Sequence, residues 1–281
     1  MTTRLPHAFR AMAVADAIGN DFEFWSPKPK DVLDFIKKDS QVVITDDTQM
    51  ALFGLEGINN AADTGHYIDE VQRQYLNWLD TQNLKRPSRS AKGLHAEPMM
   101  YSVQAPGLTC LNSLATRKKG LPVENDSNGC GALMRLLPFV GLLETNRHTA
   151  HSVAAYTSQY THRGSEIDEV TSSYMGLAQD ILDGTAVKLK KAPVTRWGQG
   201  WTAASCFMMA YQAWSNAASF EDLLVQSIAH PGDSDSVAAV AGGLWGLAGG
   251  EVPDRLVARV KEMPVVDRVT KQYLEKFYEQ R

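Results

Sequence analysis

Apolar residues recur along this chain at helical spacing, and alternating strand patterns are nearly absent. In "GHYIDEVQRQYLNWL", Ile68, Val71, Tyr75, Leu76 and Leu79 fall on one face, the stripe of an amphipathic helix. "SEIDEVTSSYMGLAQDIL" repeats the pattern with Ile167, Val170, Tyr174, Leu177, Ile181 and Leu182. Ser165, followed three positions later by Asp168, predicts a capping arrangement at its start. Two further segments, "WTAASCFMMAYQAWSN" and "SDSVAAVAGGLWGLAGG", are apolar almost all round. Helices of that kind are buried at the centre of a large all-α domain, with amphipathic ones around them.

The pattern breaks at "FWSPKPK", "NLKRPSRSAKGLHAEPMMYSVQAPG", "KKGLPVENDSNGCG" and "KLKKAPVTRWGQG". The second is the longest polar stretch containing Pro and Gly, and loops of that length in a compact domain are usually functional or mobile. None is a low-complexity linker and there is no internal repeat, so residues 1–281 are expected to form a single compact all-α domain of many helices.

Composition narrows the function. At 281 residues, 44% hydrophobic and 21% charged, the chain fits an ordinary globular protein, and a net charge of -4 with no dense basic stripe excludes a nucleic-acid footprint. Three cysteines, Cys110, Cys130 and Cys206, lack metal-ligand spacing and are expected to be buried thiols in a reducing compartment. Asp16 interrupts the short apolar patch near the N-terminus, and no apolar run reaches the roughly 18 residues that would suggest a membrane span. A cytoplasmic monomer is the expectation.

The first candidate chemistry is "VVITDDTQMALFG", where an apolar run meets two adjacent aspartates bracketed by threonines. Helix capping explains part of it: Asp46 with Gln49 mimics a capping box. Far downstream, "AHPGDSDSVAAVAGGLWG" places Asp233, Asp235 and Ser236 at the mouth of another apolar helix. One cap needs one oxygen, and here there are several. Carboxylates from two helix starts that met without a cation would repel, so they either raise a pKa or bind a metal. Carboxylate and hydroxyl oxygens suit Mg²⁺ or Mn²⁺ better than Zn²⁺. "VADAIGNDFEFW" offers more acids, Asp16 and Glu23, although locally it also reads as an amphipathic helix ending on a Gly19 C-cap.

Taken in order, "ADAIGNDFE", "TDDTQM", "GCGALMRLLP", "TH" before a helix, "GQGW" and "HPGDSDSVAAVAGGLWG" resemble the ADP-ribosylglycohydrolase family from about Asp16 to Gly246. The resemblance implies an all-helical globule with a centre of two Mg²⁺ ions, Mn²⁺ in some members. Carried over position by position, its ligands would be Thr45, Asp46, Asp47, Asp233, Asp235 and Ser236, with Glu23 near enough to join them. It implies cleavage of the bond between C1″ of an ADP-ribosyl group and its acceptor. The substrate would be an ADP-ribosylated protein, most plausibly at arginine, or an ADP-ribosyl small molecule. A metal-activated water would attack through an oxocarbenium-like transition state. Asp233, Asp235 and Glu23 are the proton-accepting candidates, and the sequence does not choose among them.

"NDSNGCGALMRLLPFVGLL" reads locally as a turn feeding a buried helix. By the family pattern Ser127, Asn128 and Gly129 would line the substrate diphosphate, with Cys130 a packing residue. His162 reads locally as a structural hydrogen-bonder, and by the resemblance as a wall beside the nucleotide. Gly107 and Thr109 in "YSVQAPGLTC" would shape the entrance. Trp197, Trp201, Trp214 and Trp245 are expected in the core. Two positions depart from the family pattern: Ala15 stands where its first motif usually opens with glycine, and Ser236 where its last often ends in threonine. Neither removes a charged ligand.

Overall fold

A computed structural model describes residues 4–279, in which thirteen α-helices and several short 3₁₀ turns surround one continuous core. In chain order the helices begin with α1 (Leu5–Gly19), α2 (Pro29–Phe35), α3 (Asp46–Asn60), α4 (Tyr67–Asn83), α5 (Leu108–Lys118) and α6 (Leu137–Val140). They continue with α7 (Arg147–Gln159), α8 (Ile167–Asp183), α9 (Ala203–Asn216), α10 (Phe220–Ile228), α11 (Ser234–Leu247), α12 (Asp254–Val257) and α13 (Met263–Leu274). Among the described residues there is no sheet, only two isolated bridges, Val42 with Val260 and Gly129 with Thr202. The all-α expectation holds.

The centre is the antiparallel pair α1 and α11, and its side chains explain how closely the two approach. A methyl group on Gly246 would stand 2.5 Å from Ala8 Cα, one on Gly242 2.6 Å from Ala11 O, and one on Gly19 2.6 Å from Asp235 Cα. Backbone therefore lies on backbone along a stripe of alanine and glycine. The order of these contacts carries the C-terminal end of α1 to the N-terminal end of α11. Gly19 is itself helical, with the C-cap at Asn20. Its lack of a side chain serves this approach rather than the predicted C-cap.

Around the pair, α3 packs on α1, α4, α11 and α13, while α9 and α10 cover α11. The predicted helices from Tyr67 and Ile167 are present, and their apolar stripes face inward. The predicted Ser165–Asp168 cap is not formed. Residue Glu166 holds the N-cap position with no side-chain cap, and its backbone N–H donates instead to Asn128 Oδ1 at 3.0 Å. The long stretch read as a loop contains two 3₁₀ turns, Gly93–Ala96 and Pro98–Tyr101, tied to α3 by Leu94 N–H donating to Glu56 at 2.8 Å and Gln49 donating to Ser102 O at 2.9 Å.

The α1–α11 contact gives a direct test. Gly242→Ala and Gly246→Ala should each destabilise the fold by about 1–3 kcal/mol through overpacking. Gly176→Ala, on α8 where an added methyl meets nothing within 4 Å, should be neutral or stabilising by up to about 1 kcal/mol. Thermal and denaturant unfolding of the three variants measures the contrast; equal effects would contradict the close-packed stripe.

Candidate functional site

The N-terminus of α3 is set by Thr45, whose hydroxyl accepts from Asp47 N–H at 3.2 Å. The predicted Asp46–Gln49 capping box is absent. Gln49 is engaged elsewhere, accepting from Trp78 Nε1 at 3.1 Å and from Gln82 Nε2 at 3.0 Å. With Thr45 as the cap, neither adjacent aspartate is needed for that purpose. Asp46 accepts from Gly107 N–H at 3.3 Å. Asp47 Oδ1 accepts from Ser236 Oγ at 2.9 Å, across 189 positions of sequence. That bond joins the two acidic segments.

Asp16 holds the arrangement from beneath. Its fully buried carboxylate accepts from Thr45 Oγ1 at 2.7 Å, from Thr45 N–H at 3.1 Å and from Thr48 N–H at 3.2 Å. It thus docks the start of α3 onto α1. Oxygens of Asp16, Asp47 and Asp235 lie within 4.8 Å of one another, as do those of Glu23, Asp233 and Asp235.

These acids share a cavity of about 490 Å³ lined by Glu23, Asp46, Asp47, Asp233, Asp235 and Ser236, with Gly107, Gly129, Gly131 and His162 completing other parts of the wall. Two clefts of about 610 Å³ elsewhere are larger, but each has a single acid in its lining. Chemistry rather than size picks out the smaller one.

Burial foremost, and then the field of Asp235, push the Asp46 and Glu23 carboxyls up to about 8. The same two causes in the same order lift Asp16 to about 7 and Asp47 well above the usual carboxylate range. Burial raises Asp233 and Asp235 as well. The cluster therefore demands either protons or cations. Asp235 Oδ1 is buried and has no hydrogen-bond partner, a carboxylate oxygen whose demand a proton or a cation would meet. An all-oxygen donor set of this kind matches Mg²⁺ or Mn²⁺.

A family model described as ADP-ribosylglycohydrolase matches residues 4–188 and 166–281. The chain belongs to the ADP-ribosylglycohydrolase family. An uncharacterized protein of Archaeoglobus fulgidus is 22% identical over 178 residues, 52% of this chain and 58% of that protein; the chain thus matches little more than half of that relative's length. A solved structure described as an ADP-ribosylglycohydrolase-related protein complex is similar over 96% of both chains, with a TM-score of 0.68 at 20% identity. That likeness shows the fold.

In this ADP-ribosylglycohydrolase-family chain the remaining predicted site residues divide. Gly107, Gly129 and His162 line the cavity, whereas Ser127 and Asn128 do not. Ser127 Oγ accepts from Gly129 N–H at 3.3 Å and pairs with Thr109 Oγ1 at 3.2 Å. The Asn128 amide clasps the start of α8. Burial first, and then the charge of Arg135, drive the His162 pKa down to about 3, so its imidazole is neutral. All three cysteines are free and buried, and burial raises the Cys130 thiol far above its ordinary value, which is consistent with packing.

Of the four tryptophans expected in the core, Trp214 is buried and Trp201 is not. Trp201 is 42% exposed and stacks on Phe24 at 5.7 Å in the cavity lining, and Trp197 and Trp245 are only partly buried. Sequence reasoning also missed Phe24 as a site residue. Its one signal was an aromatic next to Glu23, and nothing in the sequence shows that its backbone adopts a φ of 64°.

The raised carboxyls fix a sign for stability. The native family member retains protons that the unfolded chain releases near pH 4. In the metal-free protein, this contribution is full below that pH and is lost as pH rises through about 7 for Asp16 and about 8 for Glu23 and Asp46. Melting temperature in chelator should therefore fall across that window, and Mg²⁺ should raise it most at the alkaline end. A metal effect equal at both ends would contradict the carboxylate assignment.

Proposed function

We propose that this chain is a divalent-metal-dependent hydrolase that removes ADP-ribose from a mono-ADP-ribosylated acceptor, with protein arginine the leading acceptor. Family membership supports glycohydrolase chemistry as the class of function. The observation that carries the metal-dependent reading is the meeting of Asp47 with Ser236 at 2.9 Å beside the unpartnered Asp235 Oδ1. It puts both acidic helix starts on one cavity.

Asp46, Asp47, Asp233, Asp235 and Ser236 would hold two cations, with Glu23 at their edge and Thr45 supplying its hydroxyl. When bound, the ions supply Lewis acidity toward the distal ribose hydroxyls and the attacking water. The protein contributes the rest. Glu23, Asp233 and Asp235 come together within reach of one another, and one of them accepts the proton as water adds to C1″ and the acceptor departs. The wall formed by Gly129, Gly131 and His162 carries no carboxylate, so a diphosphate resting there avoids direct contact with the acids. Neutral His162 offers it a hydrogen-bonding edge without adding negative charge.

Incubation of arginine-, serine- and nucleobase-linked mono-ADP-ribose with Mg²⁺ should release ADP-ribose from the arginine conjugate, and chelator should stop the release. Release from serine or a nucleobase alone would reassign the acceptor. Release from none, with ADP-ribose still bound, would leave a non-catalytic binding protein. Within the active case, Asp46→Ala and Asp235→Ala should each reduce kcat/KM by more than about 100-fold, above the loss typical of residues that only support a ligand. Cys130→Ser should remain within about tenfold of the parent, as expected for a packing change. The reverse ranking would overturn the metal mechanism.

A further inference from the structure

Arg135 is fully buried, yet none of its partners is a carboxylate. One terminal nitrogen donates to Thr157 O at 3.0 Å and to Thr161 Oγ1 at 2.5 Å. The other points at Cys110 Sγ, 3.4 Å away, and Met50 Sδ, 3.7 Å away, with the guanidinium 4.8 Å from the Tyr75 ring centre. A buried cation without an anion is expensive, so a reason for keeping it is expected. The residue beyond Thr161 shows a use.

Thr161 Oγ1 lies 2.8 Å from His162 Nδ1. A guanidinium only donates, so it occupies one lone pair of the hydroxyl and leaves the O–H to find an acceptor. Two are nearby: the imidazole Nδ1 and the Cys110 sulfur, which the hydroxyl also reaches. Sulfur is the weaker acceptor. The O–H therefore goes to Nδ1, and the ring proton of the neutral imidazole must sit on Nε2. The Nε2 edge lies against the glycine loop, 3.1 Å from where a Gly129 side chain would begin and 3.2 Å from the corresponding point on Gly131. His162 and both glycines line the cavity.

We propose that Arg135, acting through the Thr161 hydroxyl, fixes His162 as the tautomer protonated on Nε2, so that a neutral ring presents an N–H donor to an oxygen of the bound ADP-ribosyl group. The opposite tautomer would turn a lone pair toward that oxygen and repel it. Arg135 and Thr161 are positioning residues, and His162 makes the contact. The identity of the ligand rests on the function proposed above; the proton's location does not.

Long-range ¹H–¹⁵N correlation spectra of the full ¹⁵N-labelled chain locate the ring proton, with the His162 signals identified by their loss in His162→Gln. The parent and Thr161→Ser should show Nε2 protonated and Nδ1 bare. Thr161→Val, nearly equal in volume, should lose that preference while retaining a folded amide spectrum. Calorimetry with Mg²⁺ present should show ADP-ribose binding about tenfold weaker in Thr161→Val, the loss expected for one well-placed hydrogen bond, and restored in Thr161→Ser. A proton on Nδ1 in the parent, or protons on both ring nitrogens, overturns the proposal. So does a Thr161→Val protein whose tautomer or ADP-ribose affinity is unchanged. If the parent shows the expected tautomer, Thr161→Val loses it and ADP-ribose fails to bind the parent, the relay stands and the substrate reading falls.

Discussion

The structure depends on how closely α1 and α11 approach. A glycine on one side of each contact lets Gly246 meet Ala8, Gly242 meet Ala11 and Gly19 meet Asp235 backbone to backbone. Close packing of this kind leaves little freedom to slide, because any side-chain atom added in the seam has nowhere to go. The register of the pair consequently fixes where Asp16 stands relative to Asp235. Asp16 in turn fixes α3, since Thr45 and Thr48 donate to it at 2.7–3.2 Å. Three helices from distant parts of the chain are thus brought to one place by a steric fit and one buried carboxylate.

That place is electrostatically unfavourable taken alone. Some of the acids have compensation: Asp16 receives three donor groups, Asp47 the Ser236 hydroxyl and Asp46 a backbone N–H. Asp235 Oδ1 has none, although the residue is only 4% exposed. The fold can supply this cluster because hydrophobic burial along α1, α3 and α11 outweighs it. A divalent cation that relieved the repulsion would then stabilise the folded chain as well as serve chemistry. Under the proposed function, stability and chemistry would rest on the same oxygen atoms.

Much of this was legible in the sequence, and the failures have physical causes. Helical periodicity gave the fold class, and near-total burial of α11 followed from a segment apolar on every face. The paired acids of "TDDT" and "DSDS" were visible as excess oxygens at two helix starts. Their meeting was not visible, because nothing local records a contact across 189 positions. The failed caps lost a group to a tertiary partner in each case: the Gln49 side chain to Trp78, Gln82 and Ser102, and the Glu166 backbone N–H to the distant Asn128. Trp201 was assigned to the core on its size, and tertiary geometry placed it on a cavity rim. Arg135 was hidden inside "GALMRLLP", an apolar run where a charge is easily read as a surface interruption. Its position inside such a run was the available signal, because a turn buried on all sides has no surface to offer it.

The site combines fixed and adjustable parts. Asp46, Asp47, Asp235 and Ser236 stand on the first turns of helices anchored in the core, where backbone freedom is least. Glu23 follows the end of α1 on extended backbone, with φ -54° and ψ 141°, and precedes Phe24 at a positive φ that costs a non-glycine residue roughly 1–2 kcal/mol. Strain of that size persists only where the surroundings hold it, and here Phe24 is held by its stack on Trp201. The residue next to Glu23 thus belongs to the aromatic rim of the cavity, whereas Asp46, Asp47 and Asp235 stand on buried helix starts.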